Sequence, residues 1–236
     1  MTADSQDIPL GVTPHPATII LVGCGNMGGA MLSGWLKSGV PASSIIVIDP
    51  ALATAPAGVR LAASVPVGLA PPSVLVLAVK PQKLAEVAPS FAALVTADTM
   101  LVSVLAAVEF RTLRYHFPVA GSLVRAVPNL PAAIGRGVTA LAGENVDGAS
   151  RTLAESLFVP LGVVEWMEDE ALCAIATTVS GATPAFFFRI ADAMALAAEA
   201  QGLSREQALR LIAETMAGSA AMLAEPGADP ADMARR

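Results

Sequence analysis

An apolar run that leads into closely spaced glycines constrains this chain most strongly. Residues 19–30 read Ile-Ile-Leu-Val-Gly-Cys-Gly-Asn-Met-Gly-Gly-Ala, so a strand-like segment precedes Gly23-x-Gly25-x-x-Gly28. The first glycine permits a tight turn, the second a close approach of the backbone to a phosphate, and the third close helix–strand packing. The helix that follows directs its free amides and positive dipole end at bound phosphates. We therefore predict that a dinucleotide contacts Gly23, Gly25, Asn26, Met27 and Gly28.

The sequence on both sides of this motif strengthens a signal that is weak by itself. Met31, Leu32, Trp35 and Leu36 continue with helical spacing, and residues 45–49 read as a second strand. The alternative is a glycine-rich turn that binds no ligand. The strand–turn–helix–strand context favours the dinucleotide site.

Asp49 closes the second predicted strand, 21 residues after Gly28. A carboxylate at this position accepts hydrogen bonds from an adenosine ribose hydroxyl and repels a 2′-phosphate. No arginine adjoins it. We expect NADH to be favoured over NADPH, although Asp49-Pro50 could instead simply begin a turn.

Apolar strand-like runs alternate with helical or loop stretches up to about residue 165. These runs cover residues 74–79, 100–105, 121–127 and 137–141. Continuous apolar strands indicate burial on both faces of a sheet. The pattern predicts a Rossmann-type doubly wound parallel α/β sheet over residues 18–165, with the cofactor crossing its carboxyl edge.

The remainder of the chain, residues 166–236, is predicted to be entirely helical. A first helix from near Asp169 to Thr178 is broken over residues 180–184, and a later one runs from Ser204 to about Leu223. The helix between them stops at Gly202, and its apolar stripe consists of Phe187, Ile190, Ala191, Met194 and Ala198.

Composition limits the partners and the compartment. The net charge of −6 and the absence of a basic stretch argue against nucleic acid and anionic membranes. Apolar runs are cut by Pro, Gly or charge before the roughly 18 residues of a membrane span. Cys24 and Cys173 provide no disulfide framework, and residues 1–17 read as a flexible tail without a secretion signal. We expect a cytoplasmic protein.

Two loops after predicted strands offer further candidate residues. Ala78-Val79-Lys80-Pro81 places an ammonium near the nicotinamide ribose or the phosphates, although a solvated loop lysine competes with this interpretation. Asn129 lies between prolines in residues 125–131, so its amide is aimed in a fixed direction by a stiff loop that could also be an ordinary turn.

Lysine and histidine are scarce. The lysines are Lys37, Lys80 and Lys83 and the histidines are His15 and His116, so the helical region contains neither type. A dehydrogenase acting on an alcohol needs a group that moves the hydroxyl proton. The chain offers no evident candidate for that group, and no metal cluster stands out.

These motifs, in this order, resemble pyrroline-5-carboxylate reductases over residues 19 to about 234. The most telling part is helical, where residues 180–186, 198–203 and 215–223 look like that family's interlocking dimer helices. The resemblance implies reduction of the ring imine of 1-pyrroline-5-carboxylate to proline with NAD(P)H, in a homodimer or higher oligomer. It implies substrate contacts at Ser180, Gly181 and Asn129, and cofactor contacts at Ala78, Val79, Lys80, Pro81, Val104, Ala106 and Asn129.

Three departures from the family pattern temper this resemblance. Ala107 and Thr183 stand where glycine is common in the family. A Ser-Pro-Gly-Gly-Thr-Thr-type segment, which in the family cradles the substrate, would follow Arg236, so we assign no catalytic residue and expect nucleotide binding with weak turnover. A related imine or hydroxyacid reductase and a non-catalytic dinucleotide-binding homologue are the alternatives.

Overall fold

A computed structural model describes residues 18–235, so the predicted tail over residues 1–17 lies outside the described residues. The strands are β1 Ile19–Val22, β2 Ile45–Ile48, β3 Arg60–Ala62, β4 Val74–Leu77, β5 Met100–Ser103, β6 Ser122–Pro128, β7 Gly137–Glu144 and β8 Gly162–Trp166. The helices are α1 Asn26–Lys37, α2 Leu84–Ala92, α3 Phe110–His116, α4 Gly148–Phe158, α5 Glu170–Ala176, α6 Thr183–Ala200, α7 Arg205–Leu223 and α8 Pro230–Arg235.

The strands form one sheet in the order β3-β2-β1-β4-β5-β6-β7-β8. Every neighbouring pair is parallel except β6 and β7, which are antiparallel with Ala126 opposite Leu141. The doubly wound α/β class is thus confirmed, and the expectation of a wholly parallel sheet is wrong at one pair. Parallel neighbours need a crossover of a dozen or more residues, and the connection over residues 129–136 is too short for one.

Apolar side chains fill both faces of the central strands. Every residue of β1, β2, β4 and β5 is buried, as expected for strands covered on both sides. Helices α1 and α4 cover one face, and α2 and α3 cover the other. The Trp35 indole N–H donates to the Leu157 carbonyl at 2.7 Å, which joins α1 to α4 within the core.

Two strands and a helical turn differ from the sequence predictions. β3 and β8 were not predicted, because the first has only three residues and the second is a partly exposed edge strand. The predicted break over residues 180–184 contains the end of a π-helical turn, Thr177–Gly181, and a bend at Ala182, after which α6 begins with Pro184 in its first turn. The break predicted from glycine and proline is therefore shorter than expected, because residues 177–181 are helical and the bend is confined to Ala182.

The chain divides into two compact units, one ending at Gly181 and one beginning at Ala182. The domain boundary predicted at residues 165 and 166 falls before α5. This helix reads like the later helices in composition, but it contacts β6 and β7 of the sheet. The structure therefore groups α5 with the sheet that it packs against, although its sequence resembles that of the later helices.

The second unit contains α6, α7 and α8. Its small core contains Ala195, Ala208 and Ile212, with Ala191, Ala198 and Met216 packed against them. Ser204 caps α7 in a reciprocal capping box with Gln207, and Gly202 ends the preceding segment with φ of +99°. The predicted stripe on α6 is split, because its alanines face α7 while Phe187, Ile190 and Met194 are exposed.

One helical stretch, Glu170–Ala200, is long and apolar enough to cross a membrane by length and composition alone. Its mean hydropathy is 1.5, and 11% of the window that defines it is buried. The expectation that apolar runs stop short of a membrane span is therefore wrong for this stretch. Asp192 within it is ion-paired with Arg205 at 2.7 Å, which places a charged pair on the helix surface.

Candidate functional site

The glycine turn between β1 and α1 has the close packing that its sequence predicts. Gly23 has φ of +87°, and a Cβ there would lie 2.8 Å from the Ala78 carbonyl oxygen. A Cβ on Gly28 would lie 2.3 Å from the carbonyl oxygen of Gly23. A Cβ on Gly25 would meet no atom within 4 Å. The turn is therefore packed at its first and third glycines and open at its second.

The Asp49 carboxylate lies beside this turn. Its Oδ2 accepts a hydrogen bond of 2.7 Å from the backbone N–H of Cys24, and its Oδ1 accepts one of 2.8 Å from that of Ala51. The second contact shows that Asp49 also begins a turn, which was the alternative interpretation. The first fixes the carboxylate against the glycine loop, at the position that reads the ribose in dinucleotide folds.

A cavity of about 590 Å³ lies at the carboxyl edge of the sheet. Its lining includes Gly23, Gly25, Asp49, Ala78, Val79 and Lys80 among the predicted cofactor residues. Its far wall was not predicted and consists of Ala63, Ser64, Val65, Lys83, Glu86, Val87, Ser90 and Phe91. For Glu86, Val87, Ser90 and Phe91 the signal is the amphipathic α2 segment that begins directly after Lys80-Pro81-Gln82-Lys83, whereas residues 63–65 follow β3.

The formal charges of this cavity are balanced, with Lys80 and Lys83 against Asp49 and Glu86. Lys83 Nζ lies 2.6 Å from Glu86 Oε2, and both side chains are largely exposed. Lys80 has no ion-pair partner among the described residues. Of the charged groups in the lining, Lys80 and Asp49 are therefore the two outside the Lys83–Glu86 ion pair.

Several predicted residues lie outside the cavity lining. Asn26, Met27 and Gly28 form the first turn of α1, Pro81 begins a short 3-10 helix, and Val104 and Ala106 follow β5. Their contact with a cofactor stays a prediction. Open backbone at Gly25, the start of α1 and the fixed Asp49 together fit a dinucleotide.

The predicted substrate residues form a separate arrangement at the same sheet edge. Asn129 directly follows β6, and its Nδ2 donates to the Ser180 carbonyl at 3.1 Å while its Oδ1 accepts from the Val138 N–H at 2.9 Å. The Ser180 hydroxyl donates to the Ala176 carbonyl at 2.9 Å. The Asn129 amide is therefore engaged within the protein, whereas Ser180 keeps acceptor capacity on its hydroxyl oxygen.

Burial changes the reactivity of the thiol in the glycine turn. Desolvation raises the pKa of the Cys24 thiol above its ordinary value, and the negative charge of Asp49 raises it further. Only the thiolate is a strong nucleophile. Cys24 is therefore suited to a structural role in the glycine turn and poorly suited to covalent catalysis.

Two family models match the chain in sequence order. A model described as NADP oxidoreductase, coenzyme F420-dependent, matches residues 18–107, and one described as pyrroline-5-carboxylate reductase dimerisation matches residues 170–236. The matches cover the glycine turn in the first unit and the helices of the second.

Relatives match over most of the chain. Pyrroline-5-carboxylate reductase of Haemophilus influenzae is 36% identical over 219 residues, which are 88% of this chain and 78% of the relative. That of Pseudomonas aeruginosa is 34% identical over 224 residues, 92% of this chain and 82% of the relative. This chain belongs to the pyrroline-5-carboxylate reductase family. The resemblance inferred from sequence motifs is therefore confirmed.

Solved structures agree with this membership. A pyrroline-5-carboxylate reductase from Coxiella burnetii superposes with a TM-score of 0.84 at 29% identity, over 93% of this chain and 84% of that one. The Plasmodium falciparum enzyme, solved with NADP bound, has a TM-score of 0.80 at 20% identity, over 92% and 82% respectively, and so shows the shared fold. The Rossmann-type sheet followed by a helical dimerisation region is thus confirmed.

Proposed function

We propose that this protein reduces 1-pyrroline-5-carboxylate to L-proline with NAD(P)H. The observation that carries the proposal is the glycine turn with Asp49 in one cavity, on a chain 36% identical to a pyrroline-5-carboxylate reductase over 88% of its length. The proposed compartment is the cytoplasm, where this biosynthetic reduction has its cofactor.

The chain's own residues account for cofactor binding in this reaction. The open backbone at Gly25 and the N-terminus of α1 hold the pyrophosphate, Asp49 holds the adenosine ribose, and Lys80 offers a cation. When bound, the reduced nicotinamide supplies a hydride. These residues orient the cofactor and leave the reacting end free to face the substrate.

The scarcity of proton donors suits an imine substrate. Residues 166–236 contain neither lysine nor histidine. A ring imine that is already protonated accepts hydride with less need of a protein acid than a carbonyl has. Ser180 and Gly181, held near the sheet edge through Asn129, are the proposed substrate contacts.

Substrate specificity tests the proposal directly. With the full-length protein, we expect NADH oxidation to depend on 1-pyrroline-5-carboxylate, and the reverse reaction at high pH to depend on proline. Small 2-hydroxy acids should give no reaction. Turnover of a hydroxy acid without turnover of proline would show that the protein is a hydroxyacid reductase. Nucleotide binding without turnover of any of these substrates would favour a non-catalytic dinucleotide-binding protein.

We also propose that the helical unit holds two copies together. Its exposed apolar residues include Phe186, Phe187, Phe188, Ile190, Met194 and Leu211. Such a surface marks an interface, and the dimerisation model covers the same helices. The exposed Asp192–Arg205 pair argues for a protein partner over a lipid one. Light scattering should give a dimer or larger at micromolar concentration, and a stable monomer would refute the assembly.

A further inference from the structure

Glu170 joins three elements through one carboxylate oxygen. This residue begins α5, and its Oε1 accepts from Arg125 Nη1 at 2.7 Å and from the Phe110 backbone N–H at 2.6 Å. Arg125 lies on β6 and is 5% exposed. Glu109, which precedes α3, gives no side-chain cap. Glu170 therefore supplies the acceptor for the start of α3 and the counter-charge for a buried arginine.

A second contact holds the other end of the same helical segment. Asn129, directly after β6, donates to the Ser180 carbonyl within the π-turn and accepts from the Val138 N–H. Arg125 lies on β6, and Asn129 directly follows that strand. Glu170 and Ser180 lie near the two ends of the helical segment that α5 and the π-turn form together. The segment is thus attached to β6 at both of its ends.

The π-turn gives these attachments a specific consequence. A π-turn contains one residue more than an α-helical turn, and such turns occur often at functional sites. If it relaxed to regular α-helix, the residues after it would shift in register, and one residue of shift rotates a helical side chain by about 100°. The Ser180 carbonyl, which lies within the turn, would also move relative to the Asn129 amide that donates to it.

We propose that Arg125, Glu170 and Asn129 are positioning residues that hold the Thr177–Gly181 π-turn in register for the substrate. The inference rests on the proposed function, because Ser180 and Gly181 are its substrate contacts. The nucleotide cavity is lined by other residues. Loss of the Glu170 attachment therefore affects the substrate and leaves nucleotide binding intact, whereas Asn129 is itself a predicted cofactor and substrate contact.

Substitutions at Glu170 separate positioning from simple stability. Glu170→Ala removes the shared acceptor, whereas Glu170→Gln keeps an oxygen in place. The matched control is Glu144→Ala, because Glu144 pairs with Arg114 at 2.6 Å between α3 and β7, away from the π-turn. We expect Glu170→Ala to raise the KM for 1-pyrroline-5-carboxylate and lower kcat, each by about tenfold, because displacement of about 1 Å can cost on the order of a hundredfold. The KM for NADH should stay within about twofold.

Rescue and the second attachment complete the kinetic test. Glu170→Gln should recover most of the lost activity, and Glu144→Ala should keep both KM values. Asn129→Asp keeps the acceptor for Val138 but loses the donor to Ser180, so it should repeat the effect of Glu170→Ala even if that variant folds poorly. Wild-type substrate KM in both variants, or equal loss of nucleotide and substrate affinity in Glu170→Ala, would overturn the proposal.

Hydrogen–deuterium exchange provides a readout that does not require turnover. Backbone amides of residues 177–181 should exchange faster in Glu170→Ala and Asn129→Asp than in the parent protein, and at the parent rate in Glu144→Ala. Unchanged exchange in both Glu170→Ala and Asn129→Asp would refute the positioning role even in an active enzyme. If the variants exchange faster but the parent protein does not reduce 1-pyrroline-5-carboxylate, the proposed function is refuted. The role of these residues in holding the π-turn is then still supported.

Discussion

The carboxylate of Asp49 accepts a hydrogen bond of 2.7 Å from the backbone N–H of Cys24, which fixes the end of β2 against the glycine turn. A second bond from Ala51 holds its other oxygen. An acidic side chain restrained in this way cannot swing away from a 2′-phosphate. The contact therefore bears directly on which nucleotide the protein accepts.

We expect tighter binding of NADH than of NADPH, by about fivefold or more, because two unit charges about 4 Å apart repel by on the order of 1 kcal/mol even in bulk water. Asp49→Ser should narrow the difference by removing that charge. Dissociation constants from nucleotide fluorescence measure both effects without turnover. Tighter binding of NADPH by the unchanged protein would contradict this assignment.

Replacing Gly25 or Gly28 by alanine adds a single methyl group to the glycine turn, and the structure predicts different effects of the two substitutions on stability. Gly25→Ala meets open space and an ordinary φ of −71°, so it should cost less than about 1 kcal/mol of stability while weakening NADH binding strongly. Gly28→Ala drives a Cβ to 2.3 Å from the Gly23 carbonyl and should destabilise the fold by about 1–3 kcal/mol. Denaturant unfolding and NADH titration of both variants check the pair. An equal loss of stability in both variants would contradict an open position at Gly25 and a packed position at Gly28.

Ala107 adopts a left-handed conformation, with φ of +59°, where the family commonly has glycine. This conformation costs an L-residue roughly 1–2 kcal/mol, while glycine costs about 0.5–1 kcal/mol in lost chain entropy. Ala107→Gly should therefore raise the free energy of unfolding by up to about 1 kcal/mol. Ala106→Gly is the matched control and should lower it, since the φ of Ala106 is not positive. If Ala106→Gly stabilised the protein and Ala107→Gly did not, strain at Ala107 would be ruled out.

The thiol of Cys24 should react slowly with iodoacetamide. Burial and the charge of Asp49 raise its pKa, so less thiolate is present at a given pH, and the rate should rise at a higher pH than for a free cysteine. Asp49→Asn keeps an oxygen acceptor for the Cys24 N–H and removes the charge, so it should lower the pKa and speed the reaction near pH 8. Mass spectrometry separates this site from the fully buried Cys173. A rate equal to that of free cysteine would rule out the raised pKa.

The sequence predicted those parts of the fold that local pattern determines. β1, β2 and β4 are wholly apolar, β5 is apolar except for Ser103, and the glycines require their turn, so these elements and the position of Asp49 were predicted. The antiparallel β6–β7 pair was missed although the short connection over residues 129–136 signals it.

Long-range contacts and strained turns could not be predicted in this way. The Arg125–Glu170 pair joins residues that are 45 positions apart, and no local pattern marks it. The π-turn reads as a break because Gly181 disfavours regular helix and Pro184 lies in the first turn of the next one. The structure instead keeps residues 177–181 helical, with the Ser180 carbonyl bonded to Asn129. The wall of the nucleotide cavity on α2 was missed because it is an ordinary amphipathic surface until the sheet places it there.

Product analysis tests the central claim most directly. The full-length protein is incubated with NADH and 1-pyrroline-5-carboxylate, and proline is quantified against NADH consumed, with the Gly25→Ala variant as the matched control for nucleotide binding. The account predicts one proline for each NADH oxidised, with greatly reduced formation in the variant. NADH that binds but is not oxidised, or is oxidised without formation of proline, would contradict it.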